Sequence, residues 1–390
     1  MNASPTAVEH TTSPGTPSAT RKPALPALTG LRTLLALNIV FFHFTPPHLQ
    51  LLYPIINSSY VFVGFFFLLS GFVLAYNYAD RPALDKRRFY LARFARLYPV
   101  YLLSLAISFR MLQAEWHVRS AHEFWTGMML APFLLQGWNQ SLATFWNTVA
   151  WTLSAEIFLY AAFPFLIRVP GPGAQGATER GSRPALRLAA LLLATWAIGL
   201  IPHTLYLLLN PDHLPGPANR YSYGPWLRIL KYTPLPYLGT FFAGILLARL
   251  HTALPLTARQ RVWATGLALA ALAVFFAAFV TRTPYILLHG GLLLPLFSLL
   301  ILGLSGEHWV ASAFSFRPLV LLGDTTFCLY LLHFNTINLI HDSHLTERLH
   351  LAPLDPWLTY AAALAVAAAA TFWVERPARH WILARTQSNR

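Results

Sequence analysis

Apolar residues fall in ten long runs along this chain, at roughly 25–44, 58–78, 90–109, 144–167, 186–209, 232–250, 262–280, 285–304, 318–340 and 356–375. Each run is close to the ~20 residues that an α-helix needs to cross ~30 Å of hydrocarbon. Lipid offers no hydrogen-bonding partner to a peptide group, so such runs predict helices whose backbone bonds close within the segment. The pattern predicts an all-α, polytopic membrane helix bundle of about ten transmembrane helices. A shorter apolar piece, Phe124 to Leu135 within 110–143, is read as an extracytoplasmic or re-entrant element. A further span there would carry the basic 168–187 loop to the outer side.

Polar stretches set the expected boundaries. Residues 1–24 are rich in Ser, Thr, Pro and Ala and predict a disordered cytoplasmic tail. Residues 25–380 form the membrane domain, and 381–390 a second cytoplasmic tail. The first apolar run begins too late, and without a small-residue cleavage site, for a signal peptide. Segment 170–184, PGPGAQGATERGSRP, reads as a flexible cytoplasmic linker.

Composition fixes the solvent. Hydrophobic residues make up 56% of the 390 and charged residues 11%, with a mean hydropathy of +0.48. A soluble domain of this size is less apolar. The formal net charge is +14, and its distribution orients the bundle. Arg81, Lys86, Arg87, Arg88 and Arg93 fall in loop 79–93. Arg168, Arg180, Arg183 and Arg187 fall in 168–187, Arg259 and Arg261 in 251–261, and Arg376, Arg379, Arg385 and Arg390 in the C-terminal tail. With ten spans these segments and both termini lie in the cytoplasm, facing inward as basic loops do. One loop breaks the rule: 210–231 carries Arg220, Arg228 and Lys231 yet falls outside. The positive charge is read first as topology and then as a site for anionic ligands; no nucleic-acid partner is expected. The single cysteine, Cys328, excludes an internal disulfide and a cysteine metal cluster, and no metal is expected.

Ionisable residues inside the apolar runs are the candidate chemistry, because burying charge in lipid is costly. Arg32 and His43 are eleven residues apart in the first run. Eleven steps of about 100° return to one helix face, roughly 16 Å along the axis. The pair admits snorkelling to opposite headgroup layers, or two ends of one buried site. A histidine near its usual pKa of ~6.5 suits general-base work. Ser70-Gly71-Phe72 follows an aromatic run and admits close helix packing or a functional Ser70. Arg93 and Arg96 continue from the basic cluster into the third run on one face, which favours a phosphate. Glu156 lies in the fourth run, as a site residue or an ion-pair partner of Arg32. Tyr330 and His333 lie in the ninth run, and Glu375 closes the tenth.

These segments resemble the acyltransferase 3 family of integral membrane acyltransferases. The similarity is carried by LTGLRTLLALNIVFFHF at 28–44, VFVGFFFLLSGFVL at 61–74, RRFYLARFARLYPVYLLSL at 87–105, WNTVAWTLSAEIFLYAAFPFLI at 146–167, FCLYLLHF at 327–334 and VERPARH at 374–380. The chain departs from the pattern at Ala155, where many members are bulkier, and at Asp324-Thr325-Thr326, which replaces a small polar run. The resemblance implies transfer of an acyl group, acetyl in the first instance, from acyl-CoA to a hydroxyl of a carbohydrate, a lipid-linked sugar or a glycolipid. It implies a bacterial cytoplasmic (inner) membrane location among membrane lipids. It makes His43, Arg32 and Glu156 the catalytic candidates, with His43 as base. Arg93, Arg96 and Ser70 become the candidates for binding the donor, acetyl-CoA or another acyl-CoA. Many relatives carry a C-terminal hydrolase-like domain; here the acceptor is expected to be engaged without one. A transporter or exporter of a sugar or anionic substrate is the alternative, since intramembrane Arg, Glu and His also suit proton coupling.

Overall fold

The computed structural model describes residues 22–79, 84–169 and 181–387. The expected tail as far as residue 21, linker residues 170–180, Arg81 and the last three residues lie outside the described residues. Among the described residues every regular element is helical and there is no strand. The first helices are α1 (Pro26–His43), α2 (Val61–Tyr78), α3 (Lys86–Ile107), α4 (Phe109–Val118), α5 (Ala121–Leu130) and α6 (Trp151–Leu166). They are followed by α7 (Ser182–Leu209), α8 (Pro225–Tyr232), α9 (Tyr237–Ala253) and α10 (Ala258–Val274). The last are α11 (Tyr285–His289), α12 (Leu294–Leu304), α13 (Trp309–Phe314), α14 (Arg317–Gly323), α15 (Thr326–Asp342), α16 (Trp357–Ala370) and α17 (Arg376–Gln387).

Each predicted run is occupied by helix, but length and breaks change the count. Among the described residues six helices are long and apolar enough to cross a membrane, or eight if each of two bent pairs is one span. At 16 and 17 residues, α6 and α9 are shorter than the ~20 of a full crossing. The chain is an all-α polytopic membrane bundle, and ten is an approximate span count. The bent pairs are α3–α4, at 63°, and α14–α15, at 71°. The run read as one span at 285–304 is interrupted at Gly290-Gly291, where Gly291 takes φ +91°, a conformation few other residues adopt. The 110–143 segment yields the ten-residue helices α4 and α5, each too short to span.

The backbones of α2 and α9 pack in direct contact. A Cβ on Gly71 would lie 2.1 Å from the Phe241 carbonyl oxygen, and one on Gly244 would lie 2.1 Å from that of Leu68. The glycines therefore let two backbones touch where any side chain would part them. Phe65, Phe72, Phe163 and Phe241 fill the core around this contact, all fully buried. α16 passes through a π-helical turn at Thr371–Glu375 into α17. An exposed ion pair between Arg376 and Asp324, at 2.7 Å, ties that turn to the α14–α15 bend.

Candidate functional site

The face of α1 that carries Arg32, Ala36, Ile39 and His43 walls two cavities in succession. The first has a volume of about 180 Å³, and the second about 200 Å³. Val63 and Tyr330 line both and stand between them. The face predicted from the eleven-residue spacing is thus a single stripe, with its two ionisable groups in different chambers.

The first chamber is an arginine chamber. Arg32, Ser70, Arg93, Arg96, Glu156 and Tyr160 line it. Arg32 is anchored by the α14–α15 bend: its Nη2 donates to the Gly323 carbonyl at 2.5 Å. Thr33, one residue on, donates to the Leu319 carbonyl at 2.8 Å. Gly323 ends α14, so its carbonyl has no intrahelical partner, and Arg32 donates to it beside the Thr326 hydroxyl. The Nε atoms of Arg32 and Arg93 are buried and have no hydrogen-bond partner among the described residues. Arg93 lies 5.8 Å from the Tyr160 ring and 6.0 Å from that of Phe89. Glu156 accepts a hydrogen bond from the Tyr160 hydroxyl. No ion pair joins Arg32, Arg93 or Arg96 to a carboxylate among the described residues. The sequence alternative of a Glu156–Arg32 ion pair is therefore not what forms. Glu156 instead lies within electrostatic reach of Arg96. Glu375 is turned inward by the π-helical turn, where it is buried and accepts from the Cys328 thiol at 3.4 Å. Ser70 lines the chamber, while its neighbour Gly71 makes the close α2–α9 contact.

The second chamber contains His43. Its ring contacts His333, with Nε2 of His333 3.1 Å from Nδ1 of His43. Nδ1 of His333 is 2.8 Å from the Tyr330 carbonyl and 3.0 Å from that of Leu329. Carbonyls only accept, so the His333 proton sits on Nδ1 and its Nε2 accepts. His43 Nδ1 then lies between two acceptors, His333 Nε2 and the Ile39 carbonyl at 3.0 Å, and must carry the His43 proton. The lone pair of neutral His43 is left on Nε2, which has no partner among the described residues and is not sealed from the cavity. A fully buried histidine thus sets the tautomer of a half-buried one.

The far wall of this chamber comes from loop 210–224 and α8. Asp212 holds them by accepting from the backbone N–H groups of Trp226 at 2.9 Å and of Leu227 and Gly224 at 3.1 Å. The Tyr206 hydroxyl also donates to it, at 2.9 Å. Burial alone would raise this carboxyl, but the bonds from Trp226, Leu227, Tyr206 and Gly224 hold it below the usual aspartate range. Arg220, Tyr223, Lys231 and Tyr232 line the chamber from this part of the structure, and Tyr285 lines it from α11.

Of the candidates read from sequence, Arg32, Ser70, Arg93, Arg96 and Glu156 come together, and His43 stands apart with His333. Arg220 and Lys231 were visible only as an anomaly of topology. Tyr160, four residues after Glu156, had a helical-face signal that went unused. Among the described residues no group of three or more His, Cys, Asp or Glu is arranged to hold a metal ion.

The sequence model of the acyltransferase domain matches residues 25–376. The chain belongs to the acyltransferase 3 family. It is similar to acyltransferase MdmB of Streptomyces mycarofaciens, at 28% identity over 340 residues, covering 81% of this chain and 80% of that protein. It is also similar to "Putative O-acetyltransferase SACOL0978" of Staphylococcus aureus (strain COL), at 22% identity over 352 residues. That match covers 81% of this chain and 51% of the relative, so the chain spans about half of the staphylococcal protein. A stretch of 53 residues, 13% of the chain, is 51% identical to protein 2 in the picA locus of Rhizobium radiobacter, covering 28% of it. No solved structure matches. The protein is an integral membrane acyltransferase, and the transporter alternative gives way to the family match.

Proposed function

We propose that the protein moves an acyl group, acetyl in the first instance, from acyl-CoA to a hydroxyl of a glycan, a lipid-linked sugar or a similar acceptor. The observation that carries this reading is the pair of chambers along one face of α1. One is lined by guanidiniums that, among the described residues, form no ion pair with a carboxylate, and the other holds a histidine whose Nε2 has no partner among them. Unpaired guanidiniums around a cavity suit phosphate, and coenzyme A carries several. A chamber of about 180 Å³ is small for a whole nucleotide. The donor's adenosine would therefore remain at the mouth, near Arg93, with the pantetheine arm running toward Tyr330. The α1 stripe is roughly 16 Å long, comparable with an extended pantetheine arm.

At the far end His43 Nε2 takes the proton of the acceptor hydroxyl as its oxygen attacks the thioester carbon. The C–O bond forms, the C–S bond breaks, and the proton passes to the departing thiolate to give free coenzyme A. Glu156, bonded by Tyr160, fixes the electrostatics around Arg96, and Arg32 closes the inner chamber. We place the protein in the bacterial cytoplasmic membrane with both termini inside, so that the donor enters from the cytoplasm and the acceptor from outside. The names of the relatives, an acyltransferase and an O-acetyltransferase, support the chemistry.

The test is purified protein in liposomes with acetyl-CoA and glycans extracted from the native cell surface, scored by mass spectrometry. The reading predicts coenzyme A release and an acetyl mass on the acceptor. Donor intact after prolonged incubation, with acceptor present and protein folded, would reject it.

A further inference from the structure

The His43 chamber contains cations that the transfer chemistry does not use. The Arg220 guanidinium lies 4.0 Å from the centre of the Phe42 ring and 4.8 Å from that of Tyr221. Phe42 in turn touches the His43 ring, with centroids 5.1 Å apart. The Lys231 ammonium lies 4.6 Å from the Tyr223 ring, 4.8 Å from that of Tyr232 and 5.6 Å from that of Tyr285. No Asp or Glu lines this chamber, and neither cation has an ion pair among the described residues. The nearby carboxylate, Asp212, is occupied by the backbone of α8 and by Tyr206.

Aromatic faces are weak counter-ions. They stabilise a charge in place without neutralising it. Burial, and then the charges of Arg220 and Arg228, hold the Lys231 ammonium at about 8, below its usual value. Two cations facing one cavity, with no carboxylate between them among the described residues, suit an anionic group. Lining a chamber also accounts for basic residues in a segment that the span count, against the charge rule, assigns to the outer side.

We propose that this chamber selects acceptors that carry an oxyanion, carboxylate or phosphate, beside the hydroxyl to be acylated, with Arg220 and Lys231 holding that group. The proposal rests on the reading of the His43 chamber as the acceptor side.

The test uses the full chain in detergent micelles without any donor. Lysines are acylated with a small neutral ester, and the extent at each is read by peptide mass spectrometry. The chain has only Lys22, Lys86 and Lys231, so the first two are internal controls. Competitors are sodium glucuronate, glucose 6-phosphate and, as the neutral control, glucose. The expected result is that at least one anion slows labelling of Lys231 by about tenfold or more relative to glucose, with Lys22 and Lys86 unchanged. Which anion protects distinguishes carboxylate from phosphate recognition. In Arg220→Gln the protection ratio should fall towards one while Lys231 remains reactive. Equal labelling of Lys231 with all three competitors, or full protection retained in Arg220→Gln, overturns the proposal. Anion protection in a protein that transfers no acyl group would leave the oxyanion site standing and reject only the transferase reading. Absence of protection alongside transfer to a neutral sugar would do the reverse.

Discussion

Removing Arg93 or Arg96 should weaken donor binding far more than removing Lys86, although all belong to one basic stretch. Lys86 is exposed on the first turn of α3, with its ammonium 4.8 Å from the Phe165 ring. An exposed charge of this kind contributes at most ~1 kcal/mol, about fivefold in affinity. Arg93 and Arg96 line the arginine chamber, and the Nε of Arg93 is buried without a partner. A phosphate oxygen there would form a charge-assisted bond worth ~1.5–3 kcal/mol, so each alanine variant should lose about ten- to a hundredfold in affinity. Folding should survive, because neither substitution breaks an ion pair among the described residues. Calorimetric titration of coenzyme A into the detergent-solubilised full chain gives the comparison directly. Small and equal losses at Arg93, Arg96 and Lys86 would return the cluster to a purely topological role and refute the phosphate reading.

The remaining expectations follow from single contacts. His333→Phe removes one of the two acceptors that keep the His43 proton on Nδ1, leaving only the Ile39 carbonyl to orient the ring; transfer should fall about ten- to a hundredfold while coenzyme A affinity, measured calorimetrically, stays unchanged. Gly71→Ala puts a Cβ 2.1 Å from the Phe241 carbonyl, so it should cost ~1–3 kcal/mol and lower the Tm in detergent. Ser70→Ala should leave the Tm in place and change only donor affinity. Lys231, acidified to about 8 by burial and by Arg220 and Arg228, should gain amine reactivity through pH 8 rather than above 10, as an ordinary lysine would. Its folded pKa is below its unfolded one, so its contribution to stability rises with pH across that window. The rate of lysine labelling against pH, with Lys86 as the reference, checks the position of the midpoint.

Helix placement was legible because the solvent imposes it: each apolar run had to close its own hydrogen bonds, and each contains helix. The breaks were less legible. Gly290-Gly291 and Asp324 sit inside runs whose mean hydropathy is unaffected by a few polar or small residues, yet they interrupt α11–α12 and bend α14 against α15. The second of those breaks supplies the carbonyl that holds Arg32, a contact across 291 positions of sequence that no local pattern encodes. Arg32 and His43 were readable as one face because a single helix fixes their relation. The partition into two chambers depends on Tyr330 from α15 and Val63 from α2, and hence on tertiary packing. His333 was readable as a buried histidine, but its role toward His43 required the 3.1 Å contact between helices. Arg220 and Lys231 looked like a failure of the charge rule because hydropathy assigns a loop to a side of the membrane without showing what it folds over.

The account stands most directly on His43 as the group that takes the acceptor proton. Acetyl transfer by purified His43→Ala protein, at a coenzyme A affinity verified to match the unsubstituted chain, is the decisive measurement. The account predicts a loss of about a hundredfold or more in transfer with donor binding intact. Near-normal transfer by the folded variant would contradict it.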